Sequence, residues 1–318
     1  MSFRFLDLHH QRDDLRTDVL AGLAAHPKSI PPKYFYDESG CQLFEAICRQ
    51  PEYTLTRTEH ALMASRMPGI AAAIGAVDCV IEPGAGDCGK VRMLLDALRP
   101  SQLVVLDIAG RALAAAAEPL AHDYPALAVT AIGMDFIHDL EAALPYVSAG
   151  RRLIYYPGSS IGNFSPDEAA ALLKRFHQLA GSSGQLLIGF DLKKDPEHLH
   201  RAYNDAAGMT AAFNLNLLFR LNRELDADFD PTLFRHYAFY NPWHSRIEMH
   251  LVSLAEQTVT VANQRVHFDL GETLHTENSC KFRCDEFSAI AGRAGWHLAG
   301  EWERDGFAVQ LHGVGVNL

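Results

Sequence analysis

The sequence lacks any apolar stretch long enough to cross a membrane. Stretches such as 71–74 and 112–117 are far shorter than the roughly 20 apolar residues that a membrane-spanning helix needs. The N-terminal segment MSFRFLDLHHQRDDLRTDVL carries charges throughout and has neither the apolar core nor the small-residue cleavage site of a secretory signal. These absences predict a cytoplasmic protein that does not bind a membrane.

Basic residues are in the minority, because 28 Lys and Arg face 39 Asp and Glu and give a net charge of -11. A partner with a phosphate backbone requires a basic face, so nucleic-acid binding is not expected. The six cysteines are scattered, with neither CxxC pairs nor a dense disulfide framework, and this predicts reduced thiols. With 48% hydrophobic and 21% charged residues, the composition excludes intrinsic disorder.

Histidine is common, with 16 in the chain, yet no metal-ligand spacing accompanies it. The best candidates are His9-His10, His198-x-His200 and Cys280-x3-Cys284. None of them supplies the three or four ligands of a structural zinc site at the usual spacing. The sequence therefore predicts no metal.

Between about residues 58 and 193, short apolar runs alternate with helical stretches rich in Ala and Leu. This alternation is typical of a parallel sheet with crossover helices, so the predicted fold class is α/β, doubly wound. The strand candidates are 77–82, 103–107, 126–132, 152–156 and 185–191, and the helix candidates are 90–98, 111–122 and 166–179. A helix at 285–294 and strands at 296–303 and 307–311 would add an antiparallel pair to this sheet.

The residue composition and pattern of the chain change at about residues 57, 194 and 281. The stretch from 194 to 281 is rich in Asn, Phe and His and then alternates in a strand-like way. We therefore predict one domain of residues 58–193 and 282–318, and a second domain of residues 1–57 and 194–281.

A glycine pattern, Gly84-x-Gly86-x-x-Gly89, stands between the first strand candidate of the sheet and a helix candidate. Glycines at this point allow a sharp turn and a close approach to a ligand at the carboxyl edge of the sheet. The next strand candidate ends in Asp107, about 20 residues further on, as expected of a carboxylate that binds ribose hydroxyls. The pattern predicts a nucleotide-type cofactor.

The third strand candidate is followed by Asp135 and Phe136, an acid and an aromatic ring that could bracket adenine. The alternative is that the glycines form only a tight turn and that Asp107 and Asp135 cap helices. A dinucleotide and an adenosyl cofactor both fit the loop, and the terminal antiparallel pair favours the methyltransferase variant of the sheet.

A set of motifs runs in order from about residue 30 to 310. They are PPKYFYD (31–37), PEY (51–53) with TRTE (56–59), SIGNF (160–164), AYNDAAG (202–208) with TAAFN (210–214), LNREL (221–225), RIEMHL (246–251) and TENSCKF (276–282). This ordered set resembles the histidine methyltransferases of the ergothioneine pathway.

The resemblance implies an enzyme that uses S-adenosylmethionine to trimethylate the α-amino group of L-histidine, giving the betaine hercynine. It also implies a monomer with a Rossmann-like class I methyltransferase domain and a discontinuous α+β substrate-binding domain. The first would be residues 58–193 and 282–318, and the second residues 1–57 and 194–281.

The resemblance further implies roles for individual residues. The cofactor would be held by Gly84, Gly86, Lys90, Asp107, Asp135 and Phe136. Histidine would be bound by Tyr53, Asn163, Tyr203, Glu277, Asn278 and Ser279, in a pocket shaped by Phe44, Gly158 and Met249. Tyr36 and Asn163 would act in catalysis. The chain departs from the family on the cofactor side, where GAGDCGK and LDIA replace the usual GSGTSEK and VDVS or VDIS.

The residue types suit this substrate. Asn163 and the Tyr203 hydroxyl can donate to its carboxylate, and Glu277 can accept an imidazole N–H. Ordinary structural roles compete: Asn163 can end a turn, and Tyr203 can be a core aromatic. Likewise, Glu277 and Ser279 can lie on the solvated face of a strand.

Two other functions stay open on the sequence. One is Nα-methylation of another aromatic amino acid such as tryptophan, although an indole offers no acceptor to Ser279 and Met249 narrows the ring slot. The other is a binding module without catalysis, supported only by the altered glycine loop.

Overall fold

The computed structural model describes residues 2–8 and 13–315. The His9-His10 pair, considered above as a metal candidate, lies outside the described residues. The described residues form two compact units. The first unit consists of the described residues within segments 1–10, 55–193 and 281–318, and the second of those within segments 11–54 and 194–280.

Within the described part of the chain there are fourteen strands and ten helices. The strands are β1 (Ser2–Asp7), β2 (Lys28–Ser29), β3 (Cys79–Pro83), β4 (Gln102–Asp107), β5 (Ala128–Gly133), β6 (Arg152–Tyr156), β7 (Gln185–Asp191), β8 (Phe234–Asn241), β9 (Arg246–Ser253), β10 (Gln257–Val261), β11 (Gln264–Phe268), β12 (Thr273–Cys280), β13 (Trp296–Arg304) and β14 (Phe307–Val314). The helices are α1 (Asp13–Ala24), α2 (Glu38–Cys48), α3 (Leu55–Ile74), α4 (Arg92–Leu98), α5 (Gly110–Asp123), α6 (Phe136–Asp139), α7 (Pro166–Ala180), α8 (Pro196–Ala202), α9 (Met209–Leu225) and α10 (Cys284–Arg293). None of these helices is both long and apolar enough to span a membrane.

The first unit is built on an eight-stranded sheet in the order β1-β5-β4-β3-β6-β7-β14-β13. Its strands run parallel except β14, which is antiparallel to both β7 and β13. The central strands are almost continuously apolar and buried; all seven residues of β7 are buried. Burial on both faces is what an internal parallel strand with crossover helices requires. The predicted α/β class and the terminal antiparallel pair are confirmed.

Helix α7 shows how local sequence sets an element of this unit. Ser165 caps its N-terminus in a reciprocal capping box with Glu168, and Pro166 occupies the first helical position. These residues satisfy backbone donors that have no partner inside the helix.

Strand β1 differs from the division drawn from the sequence, which kept residues 1–57 together. It pairs in parallel with β5 at the edge of the large sheet, with Ser2 opposite Ala128 and Asp7 opposite Gly133. The first few residues therefore belong to the first unit. Four of its six residues are exposed, as in an edge strand, and Phe3, Phe5 and Leu6 alternate with polar residues too briefly to mark it in the sequence.

The second unit holds a four-stranded sheet in the order β2-β12-β9-β8 and a separate β10-β11 hairpin. Helices α2 and α9 pack on each other in this unit. Strand β12 changes register between His275 and Glu277, so that one extra residue, Thr276, stands opposite β9. This bulge decides which residues of β12 share a face, because side chains alternate along a strand.

Candidate active site

The glycine loop follows β3 at the carboxyl edge of the large sheet. Gly84 and Gly86 have φ of +68° and +54°, the left-handed region that glycine adopts without steric cost. The carboxylate of Asp107 accepts from Gly86 N at 3.0 Å and from Ala109 N at 2.8 Å. Asp107, at the end of β4, thus fixes both its own turn and the neighbouring loop.

Phe136 and Asp135 lie at the same edge, after β5. A Cβ built on Gly84 would lie 3.8 Å from the Phe136 ring, so the ring packs close to the glycine loop. The Asp135 carboxylate accepts from Ile137 N at 3.0 Å and lies 2.9 Å from His138 Nδ1. Asp135 therefore caps the start of α6, the structural role that the sequence left open beside cofactor binding.

Glu59 was not among the predicted site residues, although it lies within the TRTE motif. It is almost fully buried on α3, and its Oε2 accepts from Lys90 Nζ at 2.7 Å. Its Oε1 accepts from Gly158 N at 2.7 Å, in the loop after β6. One carboxylate thus joins the glycine loop to the loop after β6. The sequence signal that could have found Glu59 is its place in a family motif.

Gly158 makes room for the Lys90 ammonium. It has φ of +81°, and a Cβ on it would lie 2.8 Å from Lys90 Nζ. Gly158 therefore leaves space for the Lys90 side chain in the first unit, a role different from the shaping of the substrate pocket that the resemblance implied.

We expect Gly158→Ala to weaken cofactor binding, because the new methyl displaces Lys90 from Glu59, and also to destabilise the fold by about 1–2 kcal/mol through its backbone strain. Gly208→Ala is the matched control, since Gly208 also has positive φ but nothing within 4 Å of its built Cβ. Calorimetric titration with S-adenosylmethionine and urea unfolding would measure both effects. Equal cofactor affinity in the two variants would show that Lys90 needs no clearance at Gly158.

Glu82, in β3 directly before the loop, is a second buried acid of this edge. Burial raises its pKa well above the ordinary value, with the Lys90 ammonium opposing that rise. Glu82 Oε2 is buried and has no hydrogen-bond partner among the described residues. A donor on a bound ligand would satisfy it. These features fit an adenosyl cofactor. They are the exposed glycine loop, the Asp107 carboxylate at the position that binds ribose, the Phe136 ring and the Glu82 oxygen that lacks a hydrogen-bond partner among the described residues.

The second unit gathers most of the predicted substrate residues around a chain of aromatic rings. Ring centroids are 5.9 Å apart for Tyr36 and Phe44, 6.4 Å for Phe44 and Tyr53, and 6.3 Å for Tyr53 and Tyr203, all near edge-on. Phe213 of α9 packs against Tyr36 and Phe44. Edge-to-face contacts of this kind fix ring orientations as well as burying area.

Polar groups join this aromatic cluster. The buried Tyr203 hydroxyl donates to Ser279 Oγ at 2.7 Å. Burial raises the pKa of Tyr53 well above its ordinary value, and Tyr203 and Glu277 add to the rise. The Tyr53 hydroxyl therefore keeps its proton and can act as a donor. The Glu277 carboxylate is close enough to influence it electrostatically.

The β9-β12 register places Glu277 opposite Met249 and Ser279 opposite Ile247. Because side chains alternate, these residues share one face of the sheet. Asn278 differs from its predicted partners, since its Oδ1 lies 2.9 Å from His275 Nε2 on the other face. The structure thus groups Glu277 and Ser279 but separates Asn278 from them.

Asn163, the last residue of a 3₁₀ turn at Ser160–Asn163, is partly buried in the first unit. The turn follows Ser159, whose φ of 60° is unusual for a residue with a Cβ and whose Oγ accepts from Asp191 N at 2.9 Å. A buried hydrogen bond therefore holds the loop that carries Asn163. The helix after it is capped by Ser165, so Asn163 is not the helix cap.

These features define a class of protein. A glycine loop after the central strand, acids after the next two strands and an antiparallel pair at the far edge are the arrangement of a class I methyltransferase. The crystal structure of PH0226 protein from Pyrococcus horikoshii has a similar fold, with a TM-score of 0.51, 11% identity, and coverage of 88% of this chain and 100% of that one. That likeness concerns the fold alone.

The sequence model of the histidine-specific, S-adenosylmethionine-dependent methyltransferases matches residues 15–314, so the chain belongs to that family. It is 44% identical to a histidine N-alpha-methyltransferase of Mycolicibacterium smegmatis over 91% of this chain and 90% of that protein. It is also 28% identical to ergothioneine biosynthesis protein 1 of Neurospora crassa, over 87% of this chain and 32% of that protein. The predicted family, enzyme class and cofactor are confirmed.

Proposed function

We propose that this protein transfers methyl groups from S-adenosylmethionine to the α-amino group of L-histidine until the trimethylated betaine hercynine is formed, a step of ergothioneine biosynthesis. The observation that carries the proposal is the family membership together with the polar groups of the second unit. Those groups offer a buried hydroxyl pair and a carboxylate beside aromatic rings.

The bound cofactor supplies an activated methyl group on a sulfonium. In this proposal the chain's own residues bind and orient it: Asp107 takes the ribose hydroxyls, Phe136 packs against adenine, and Lys90 is held in place by Glu59. Orientation is the main task of the protein in such a displacement, because the reactive carbon comes with the cofactor.

For histidine, we assign the imidazole to Glu277 and Ser279. Glu277 accepts a ring N–H, while the Ser279 hydroxyl, which accepts from the Tyr203 hydroxyl, would donate to the second ring nitrogen of the substrate. A ligand without a matching donor would displace water from the Glu277 carboxylate without replacing its hydrogen bonds, which is costly in a partly buried site. This pairing is the physical basis for choosing histidine.

The remaining assignments depend on the family resemblance. Asn163 and the protonated Tyr53 would donate to the carboxylate of the substrate, and Tyr36 would lie on the path by which the amine loses a proton before further rounds. Neutral amine is required each time, because only its lone pair can attack the methyl group.

Mass spectrometry of histidine and tryptophan, each incubated with the protein and S-adenosylmethionine, tests the proposal. We expect histidine to gain three methyl groups and tryptophan to react far more slowly. Faster methylation of tryptophan would favour the aromatic alternative, and no transfer to either would favour a binding module. Heat-denatured protein is the control.

A further inference from the structure

The sheet of the second unit carries a compact polar cluster on the face away from Met249 and Glu277. Glu248 and His250 come from β9, and His275 stands directly opposite His250 on β12. One ligand atom from each of Glu248, His250 and His275 lies within 4.8 Å of the other two. We call these three residues the Glu-His-His cluster.

The spacing inside the cluster suits a metal ion better than a hydrogen bond. Glu248 Oε2 and His250 Nε2 are 3.3 Å apart, whereas charge-assisted hydrogen bonds are typically about 2.7–2.9 Å. Two ligands at roughly 2.0–2.1 Å from a tetrahedral zinc ion are separated by about 3.3–3.4 Å. The two imidazole rings have centroids 5.0 Å apart, and a ring nitrogen of His275 lies within 4.8 Å of the ligand atoms of the other two residues.

Neighbouring groups hold these ligands in the way that metal sites require. The other oxygen of Glu248 accepts from Arg246 Nε at 2.8 Å and from Asn241 Nδ2 at 2.9 Å. Asn278 orients the His275 ring. His250 is the exception, because its Nε2 faces Glu248 while its buried Nδ1 has no hydrogen-bond partner among the described residues.

Two imidazoles and a carboxylate are a preferred ligand set for zinc-class ions. The Arg246 cation opposes the charge of the ion, so we expect weaker binding than at a structural zinc site.

We propose that Glu248, His250 and His275 form a binding site for one divalent transition-metal ion of the zinc class, which ties β9 to β12 behind the residues assigned to substrate. The site does not depend on the proposed function. The sequence predicts no metal because only Glu248 and His250 are close together in the chain, and the pairing of β9 with β12 adds His275 across the sheet.

The test uses the full chain, freed of metal by chelation and titrated with Co²⁺, whose visible absorption becomes intense in tetrahedral sites. We expect one equivalent to bind with that absorption, to be displaced by Zn²⁺, and to raise the melting temperature. His275→Gln should weaken Co²⁺ binding at least tenfold. His267→Gln is the matched control, because His267 is a half-exposed imidazole of the same unit outside the cluster.

Glu248→Gln is a second variant that preserves side-chain shape should His275→Gln fail to fold, as a melt without metal would reveal. It should also weaken Co²⁺ binding at least tenfold. Wild type without saturable binding of one equivalent, or equal affinity in the wild type and a folded cluster variant, would overturn the proposal.

Discussion

Glu277→Ala is expected to lower kcat/KM for histidine roughly 30–150-fold, the kinetic equivalent of about 2–3 kcal/mol. The loss follows because Glu277 is the charged acceptor proposed for the imidazole N–H, on the same sheet face as Met249. Tryptophan should lose less, since its indole offers one N–H and no acceptor to Ser279, so the pair Glu277 and Ser279 fits it less well from the start. The measurement is kcat/KM for both amino acids in the wild type and the variant.

Adding Met249→Val should raise tryptophan turnover further, because Met249 is buried opposite Glu277 and a smaller side chain widens the ring slot. Glu256→Ala, which removes an exposed acid of the same unit, is the control and should leave the ratio of the two substrates unchanged. A thermal melt first establishes that each variant folds. If the ratio of histidine to tryptophan does not fall in Glu277→Ala, Glu277 does not recognise the imidazole.

The second large effect concerns the cofactor. Asp107→Ala removes the acceptor of Gly86 N and Ala109 N together with the carboxylate proposed for the ribose, so we expect S-adenosylmethionine to bind about 2–3 kcal/mol more weakly. Calorimetric titration gives this affinity directly. Asp96→Ala is the control, because it removes a carboxylate of the same unit that accepts from the Tyr124 hydroxyl on the surface. Unchanged affinity in Asp107→Ala would remove Asp107 from the ribose site.

The parallel sheet was predictable because its strands are short apolar runs between strong turn signals. The strands predicted at 152–156 and 185–191 have the observed bounds, and those predicted at 77–82, 103–107 and 126–132 differ from β3, β4 and β5 by no more than two residues at either end. Internal parallel strands are buried on both faces, so their sequences are nearly all apolar and easily recognised.

Elements whose stability comes from distant partners were not predicted. Strand β1 gains its hydrogen bonds from β5, far along the chain, and its own residues are mostly exposed. Helix α9 was seen only as a stretch rich in Asn and Phe, because buried amides such as Asn214 interrupt its apolar face. The hydrogen bond that Asn214 Nδ2 donates to the His250 backbone oxygen in β9 stabilises the helix despite the low helix propensity of asparagine.

The residues of the candidate active site likewise divide into those that the sequence predicts and those that it does not. The glycine loop and Asp107 could be placed from the sequence, since a strand end fixes where they lie. Glu59 lies in the TRTE motif, but its role could not be predicted, because a charged residue in a helix is usually exposed and only the fold reveals its bonds to Lys90 and Gly158. The bulge at Thr276 also has no sequence signal, and it places His275 on the face of Asn278 rather than on that of Glu277.

The central claim is that the α-amino nitrogen of histidine receives the methyl groups. The most direct measurement is NMR of the product formed from ¹³C-methyl-labelled S-adenosylmethionine and histidine labelled with ¹⁵N at the α-amino group. The account predicts three equivalent ¹³C-methyl groups, each coupled to the α-¹⁵N. A methyl group on an imidazole nitrogen, or histidine recovered without label, would contradict it.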